Sequence, residues 1–342
     1  MAKPLLLGIE IGGTKLQIGL GHGDGRLLGL RRVAVDPARG AAGILDQIAE
    51  ESHKVAWLAE TGRDRVEAVG IGFGGPVDAD RGIVTTSHQV AGWDGLDLAD
   101  WVRREMGPGV VVLQNDADTA GLGEARFGAG RGRSPLLYVT VGSGIGGGLI
   151  LDGRIYRGAG RGALEIGHMR VGEPDPRTPD GPPATLEQIA SGWSIARDAR
   201  ERIAAAVRDD PSWSGPLLEL LDDGPRRDAA WDGITTEVVA LAAEFGDVLA
   251  REVLDRAARV LAIALAHATT LLAPSRIILG GGVSLIGEML WLSPIRRELD
   301  RRVFPPFRGT FDIVPAALGE AVVVHGALAL ARDAWTARAA AQ

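Results

Sequence analysis

The sequence predicts an α/β protein built of two duplicated α/β domains around a cleft. Three observations carry that reading. Apolar runs of strand length alternate with helical stretches along the whole chain. A strand that enters a Gly-rich turn and leaves as a second strand occurs twice, at residues 9–15 and 141–148, about 130 residues apart. The length of 342 residues suits two domains at roughly 150 residues each.

The elements follow in order. Residues 5–11 form an apolar run bounded by glycines. Residues 16–20 return after Gly12-Gly13-Thr14-Lys15, which reads as a hairpin, and residues 21–25 make the next turn. Residues 43–61 show helical apolar spacing. Strands are expected at 66–73, 110–113 and 136–141, a second hairpin at 147–151 and 154–156, and a short buried strand at 277–279. Helices dominate 185–208 and 235–272, and a last one covers 320–340. The repeated unit reads βββαβαβα. A boundary near Asp116 gives an N-terminal domain of residues 1–116, completed by a C-terminal helix at 320–342, and a second domain of residues 117–319. Residues 172–184, rich in Pro and Gly, form an inserted loop.

Composition narrows the function. Hydrophobic residues make up 46% and charged residues 24%, enough for a full core and against a disordered chain. A formal charge of −7 without basic runs argues against nucleic acid and anionic membrane as partners. With no Cys, disulfides, thiol nucleophiles and thiolate metal sites are excluded. No apolar stretch reaches the ~18 residues of a membrane helix. The longest apolar helix, near 260–273, carries His267 and two Thr and reads as a buried core helix. The expectation is a soluble cytoplasmic protein.

The chemistry gathers at glycines and carboxylates. Gly-rich turns after strands present backbone N–H groups that cradle anions, although either turn alone is more often a tight connection than a phosphate site. Thr14 adds a hydroxyl and Lys15 a cation. Glu10, ending its strand, is a carboxylate for Mg²⁺, directly or through water, or else a polar residue of an alternating strand. Gly142, Gly144 and Gly147 match dinucleotide spacing, but an extended segment follows where that fingerprint needs a helix. Asn115-Asp116 ends a strand and opens a helix, as a cap or as a carboxylate that takes a proton from an alcohol. Glu165, His168 and Glu187 add the donors and acceptors that a neutral polyol requires.

Together these residues resemble the ROK family of sugar kinases and sugar-responsive repressors. The resemblance runs nearly end to end. It takes in Glu10–Lys15, Gly72-Phe73-Gly74-Gly75-Pro76-Val77-Asp78, Asn115-Asp116, Gly142–Gly148, Glu165-Ile166-Gly167-His168, Leu186-Glu187, Ala190-Ser191-Gly192, residues 243–247 and Gly280-Gly281-Gly282-Val283-Ser284. It implies the actin-like ATPase (ribonuclease H-like) fold, closing on ATP, Mg²⁺ and a hexose, with glucose phosphorylated at its 6-hydroxyl as the leading expectation. Carried over, Asp116 is the base. Gly75, Asn115, Glu165, His168 and Glu187 bind the sugar. Gly12, Gly13, Thr14 and Lys15 form the first phosphate site, Gly142, Ser143, Gly144 and Gly146 the second, and Gly281 and Gly282 approach the adenosine. A homodimer or homotetramer is expected.

Three departures bear on this. The family commonly places Asp where this chain has Glu10. Many members hold a structural zinc on a Cys-rich loop, but here the matching thiolate positions are Thr178, Asp180 and Thr185. No zinc is expected, with Pro179, Pro182 and Pro183 stiffening the loop instead. In the loop 87–93, Gln89 stands where glucose-specific relatives often show Asn, and pocket shape around Gly75, Gln89 and Trp93 is expected to select the sugar. N-acetylmannosamine, N-acetylglucosamine, allose and fructose are the other acceptors considered, and a catalytically weak sugar sensor is the alternative class. Only nine residues precede Glu10, which argues against the family's repressor branch with its helix-turn-helix domain.

Overall fold

The computed structural model describes residues 3–58, 65–87, 89–159, 162–172, 181–210, 212–221 and 230–341. The chain divides into two compact units, one of residues 1–138, 148–164 and 316–342 and the other of residues 139–147 and 165–315.

The first unit is organised on a five-stranded sheet. Its strands are β1 (Leu6–Ile11), β2 (Lys15–Gly21), β3 (Leu27–Ala34), then, after helix α1 (Gly40–Leu58), β4 (Ala68–Phe73). A small hairpin of β5 (Val77–Asp78) and β6 (Ile83–Val84) and the helix α2 (Leu98–Met106) lead to β7 (Val110–Asn115) and α3 (Asp116–Phe127). The sheet order is β3-β2-β1-β4-β7. β1 and β2 pair antiparallel, whereas β1, β4 and β7 run parallel. Every residue of β1 and β4 is buried, as expected for apolar runs covered on both faces. On one face Leu7, Ile9 and Ile11 pack with Ile44 and Ile48 of α1 and Leu98 and Val102 of α2. On the other, Leu6 and Ala68 meet Val324 and Leu328 of the C-terminal helix Val322–Ala341.

That last helix lies unusually close to the sheet because glycines face it. A Cβ on Gly70 of β4 would fall 1.9 Å from the Ala327 carbonyl oxygen, and one on Gly8 of β1 would fall 2.8 Å from that of Val324. Gly326 likewise admits the Thr119 carbonyl of α3, which its own Cβ would approach to 1.8 Å. Glu124 of α3, fully buried, staples the incoming segment. Its Oε1 accepts from Ala317 N at 2.8 Å and Leu318 N at 2.9 Å, and its Oε2 from Ala129 N at 2.6 Å. Three amide donors compensate the burial of that carboxylate.

The second sheet repeats the order. After α3 come β8 (Leu136–Val141), β9 (Ile145–Leu151) and β10 (Arg154–Ile155), and later β11 (Arg276–Gly280) and β12 (Asp312–Pro315), arranged β10-β9-β8-β11-β12. Three consecutive strands followed by two later ones match the first sheet position for position. The division between units passes through β8 and β9.

The second unit holds α4 (Leu186–Ala190), α5 (Gly192–Asp209), α6 (Pro216–Glu219), α7 (Thr236–Glu244), α8 (Val248–Leu272) and α9 (Ser293–Arg302), and the first unit's C-terminal helix is α10. Both long helical stretches read from sequence are interrupted. Ser191 is extended and its Oγ caps α5, and Gly246 at φ +92° separates α7 from α8. His267 of α8 is exposed rather than part of the core. Among the described residues, no helix is long and apolar enough to cross a membrane.

Gly70→Ala should therefore destabilise the protein by about 3 kcal/mol, because both colliding atoms are backbone-bound. Gly233→Ala, whose methyl would meet among the described residues only Leu221 Cδ2 at 3.5 Å, should stay within about 0.5 kcal/mol. Urea unfolding of both variants checks the difference.

Candidate active site

Within the first unit the strand register decides which residues meet. Ile11 pairs with Phe73, and Phe73 with Asn115, so β1, β4 and β7 end flush at their carboxyl ends. The three connections leaving that edge are Gly12–Thr14, Gly74-Gly75 and the start of α3. Carboxyl edges of parallel strands are where α/β sheets bind ligands. Gly74 N donates to Ile11 O at 2.8 Å. A Cβ on Gly74 would stand 3.5 Å from Asp116 Oδ2 and 3.6 Å from Gly12 Cα. Asp116, Gly74 and the first turn thus adjoin.

Asn115 caps α3, its Oδ1 accepting from Ala117 N at 2.9 Å and Asp118 N at 3.3 Å. Its Nδ2 donates to Gly75 O at 3.2 Å, leaving one amide hydrogen for a ligand. Asp116 Oδ1 accepts from Ala117 N at 2.8 Å. The cap and the candidate site are therefore the same pair of residues. Gly75 is backed by Phe73, whose Cε1 would lie 3.1 Å from a Cβ there.

Glu10 sits on the α10 face of the sheet, 9% exposed, in a polar row that crosses three strands. Its register partner Gln17, fully buried, donates through Nε2 to Glu10 Oε2 and, at 2.7 Å, to Glu320 O. Gln17 in turn pairs with Arg32, whose Nε donates to Gln17 Oε1 at 2.8 Å. Lys15 Nζ lies 3.3 Å from Glu10 Oε1. Burial raises the Glu10 carboxyl above its ordinary value of 4.5, against the opposing pull of Lys15, Gln17 and Arg32. Both carboxylate oxygens are engaged, which suits holding Mg²⁺ through water better than directly. Gln17 and Arg32 were not among the residues singled out from the sequence. A Gln amid the apolar run of β2, opposite a Glu, was the available signal.

The first turn, Gly12–Thr14, is closed by Gly12 N, which donates to Lys15 O at 2.9 Å. Thr14 is exposed at its tip.

In the second unit the main chain of Ile145 is the meeting point. Glu187 Oε2 accepts from Ile145 N at 2.7 Å, and a Cβ on Gly144 would fall 2.5 Å from that oxygen. Gly167, lying between Glu165 and His168 in a short 3-10 helix, fits against Ile145 O, which a Cβ would approach to 2.1 Å. Glu165 and His168 are exposed. Leu186 N donates to Met169 O at 2.8 Å, so the segment after His168 and the start of α4 are stitched together. Glu187 therefore adjoins Gly144 and Ile145, and the 3-10 turn that carries Glu165 and His168 at its ends packs through Gly167 against the same Ile145 main chain.

Gly142 is held from both sides, its N donating to Gly144 O at 2.9 Å and its O accepting from Gly192 N at 2.7 Å. Gly146 falls inside β9; a strand follows the turn, as the sequence argued against a dinucleotide fingerprint. Gly281 has φ +83° and abuts Val141, whose oxygen a Cβ would reach at 2.4 Å, whereas Gly282 is open. Thr178, Pro179 and Asp180 lie outside the described residues. Thr185 forms a capping box with Gln188 at α4.

Comparison with known proteins converges on one family. The model of the ROK family matches residues 6–334. The chain is 32% identical over 337 residues to a glucokinase of Thermotoga maritima, covering 97% of this chain and 99% of that protein. It is 34% identical over 330 residues to a glucokinase of Streptomyces coelicolor, covering 96% and 98%. Among solved structures, a ROK family glucokinase from Streptomyces griseus in complex with glucose and AMPPNP superposes with a TM-score of 0.78 at 36% identity, covering 96% and 99% of the two chains.

The raised Glu10 carboxyl has a stability consequence. Its ionised form is disfavoured in the folded state, so the cost is full above the folded pKa and disappears below about 4.5, the unfolded value. Glu10→Gln should melt about 2 °C or more above the parent at pH 8, with the gap closing as pH falls towards 4. Thermal melts across pH check this; a lower melting temperature at pH 8 would mean that Lys15 and Gln17 outweigh burial.

Proposed function

As the chain belongs to the ROK family and is a sugar kinase of actin-like ATPase fold, we propose that it transfers the γ-phosphoryl group of ATP to the 6-hydroxyl of glucose. The observation that carries this is the placement of Asp116 Oδ2 beside Gly74 and the Gly12 turn. A base and an anion cradle adjoin, and phosphoryl transfer asks a protein chiefly for positioning and charge neutralisation.

Asp116 takes the hydroxyl proton as the sugar oxygen bonds to the γ-phosphorus, and the bond from that phosphorus to the ADP oxygen breaks. Gly12, Gly13 and Thr14 hold the phosphoryl end. Gly142, Ser143, Gly144 and Gly146 hold the rest of the phosphate chain, and Gly281 and Gly282 admit the adenosine. Sugar hydroxyls fall to Gly75, the remaining amide hydrogen of Asn115, Glu165, His168 and Glu187. Mg²⁺, when bound, would neutralise phosphate charge; Glu10 is the carboxylate that would hold it, and it also pairs with Lys15. Glucose is favoured over the other hexoses by the two curated glucokinase relatives and by the glucose-bound structural neighbour.

Asp116→Asn should lower glucose phosphorylation by about 10³-fold while glucose affinity, by calorimetry, changes less than about threefold. Retention of more than a tenth of the activity would remove Asp116 as the base.

A further inference from the structure

The loop carrying Gln89 is fixed from several sides. Ser87 N donates to Asp94 Oδ1 at 3.2 Å, and Ser87 Oγ accepts from Gln89 N at 3.4 Å and Val90 N at 3.3 Å. Ala41 N at the start of α1 donates to Ala91 O at 2.9 Å. Trp93, 1% exposed, stands edge-on to Phe73 with ring centroids 5.1 Å apart. Phe73 is the same ring that backs Gly75. The loop is thus registered against the strand ends that carry Asp116 and the first turn.

From that loop the Gln89 side chain lies along Gly13. A Cβ on Gly13 would fall 1.6 Å from Gln89 Oε1, 2.7 Å from its Cδ and 3.0 Å from its Cβ, so glycine at 13 is what admits the side chain. Among the described residues the Gln89 carboxamide makes no hydrogen bond, although it offers two N–H donors and an acceptor. The turn's own cation, Lys15, is committed to Glu10. Among the described residues, the side-chain donors left over this turn are the Thr14 hydroxyl and the Gln89 amide.

We propose that Gln89 is a phosphoryl-binding residue, its carboxamide N–H donating to a γ-phosphate oxygen of ATP seated on the Gly13–Thr14 turn. The residue that sequence reading assigned to sugar selection thereby recognises the group in flight. A neutral donor binds the dianionic γ-phosphate without competing with Glu10 for Lys15, and a half-turn of the amide presents nitrogen instead of oxygen. This rests on the kinase reading above.

Calorimetric titration of AMPPNP and of ADP, each with Mg²⁺ and saturating glucose, tests it on the parent, Gln89→Ala and Gln89→Glu. Gln89→Ala should weaken AMPPNP about tenfold, Gln89→Glu further through repulsion, and both should leave ADP and glucose within about twofold. Thermal melts confirm that these variants of an exposed side chain are folded. Equal weakening of ADP, a loss confined to glucose, or unchanged AMPPNP binding would each overturn the assignment. A parent protein that binds neither nucleotide would instead overturn the kinase reading itself.

Discussion

The arrangement depends on one constraint, the flush termination of three parallel strands. Because Ile11, Phe73 and Asn115 lie in register, the turn after β1, the Gly74-Gly75 connection and the first residue of α3 emerge side by side. A one-residue slip of β4 or β7 would turn its buried side chains to the opposite face. That penalty fixes the register, and the register fixes the distance between the Asp116 carboxylate and the Gly-rich turn after β1. Positioning of this kind is inherited from core packing: Gly8, Gly70 and Gly326 let α10 press on the sheet and α3, and Glu124 secures the chain as it arrives.

Charge is managed by a second layer of the same sheet. The Glu10–Gln17–Arg32 row runs along cross-strand partners, so each polar group finds the next at hydrogen-bonding distance. Beside a turn proposed to hold phosphate, a buried carboxylate left bare would repel the ligand. Lys15 and Gln17 offset that charge while the carboxylate is retained. In the second unit the Ile145 amide does comparable work, tying Glu187 to the Gly142–Gly144 turn and fitting Gly167 against its carbonyl. Glu187 is thus positioned by the turn.

Much of this was legible in the sequence where local signals agreed. Apolar runs closed by glycines gave β1, β2, β4, β7, β8 and β11, and the repeated strand–turn–strand gave the duplicated sheet order. β3 escaped because Arg31 and Arg32 interrupt it and it is only half-buried, so its identity comes from pairing with β2. β12 is four residues ending at Pro315, too short to show a period. The breaks at Ser191 and Gly246 are capping events that apolar spacing does not register. Residue types pointed to Asp116, Asn115 and Glu187 as a polar set. The Glu10 row and the position of Gln89 depend on which strand or loop lies opposite, which one-dimensional spacing does not carry.

The most direct test of the account is the product itself. Parent enzyme, ATP, Mg²⁺ and uniformly ¹³C-labelled glucose, followed by ³¹P and ¹³C NMR, should yield ADP and a single sugar phosphate whose phosphorus couples to carbon 6. A phosphate on another carbon, or ADP formed without a sugar phosphate, would contradict the proposed placement of the acceptor hydroxyl at Asp116.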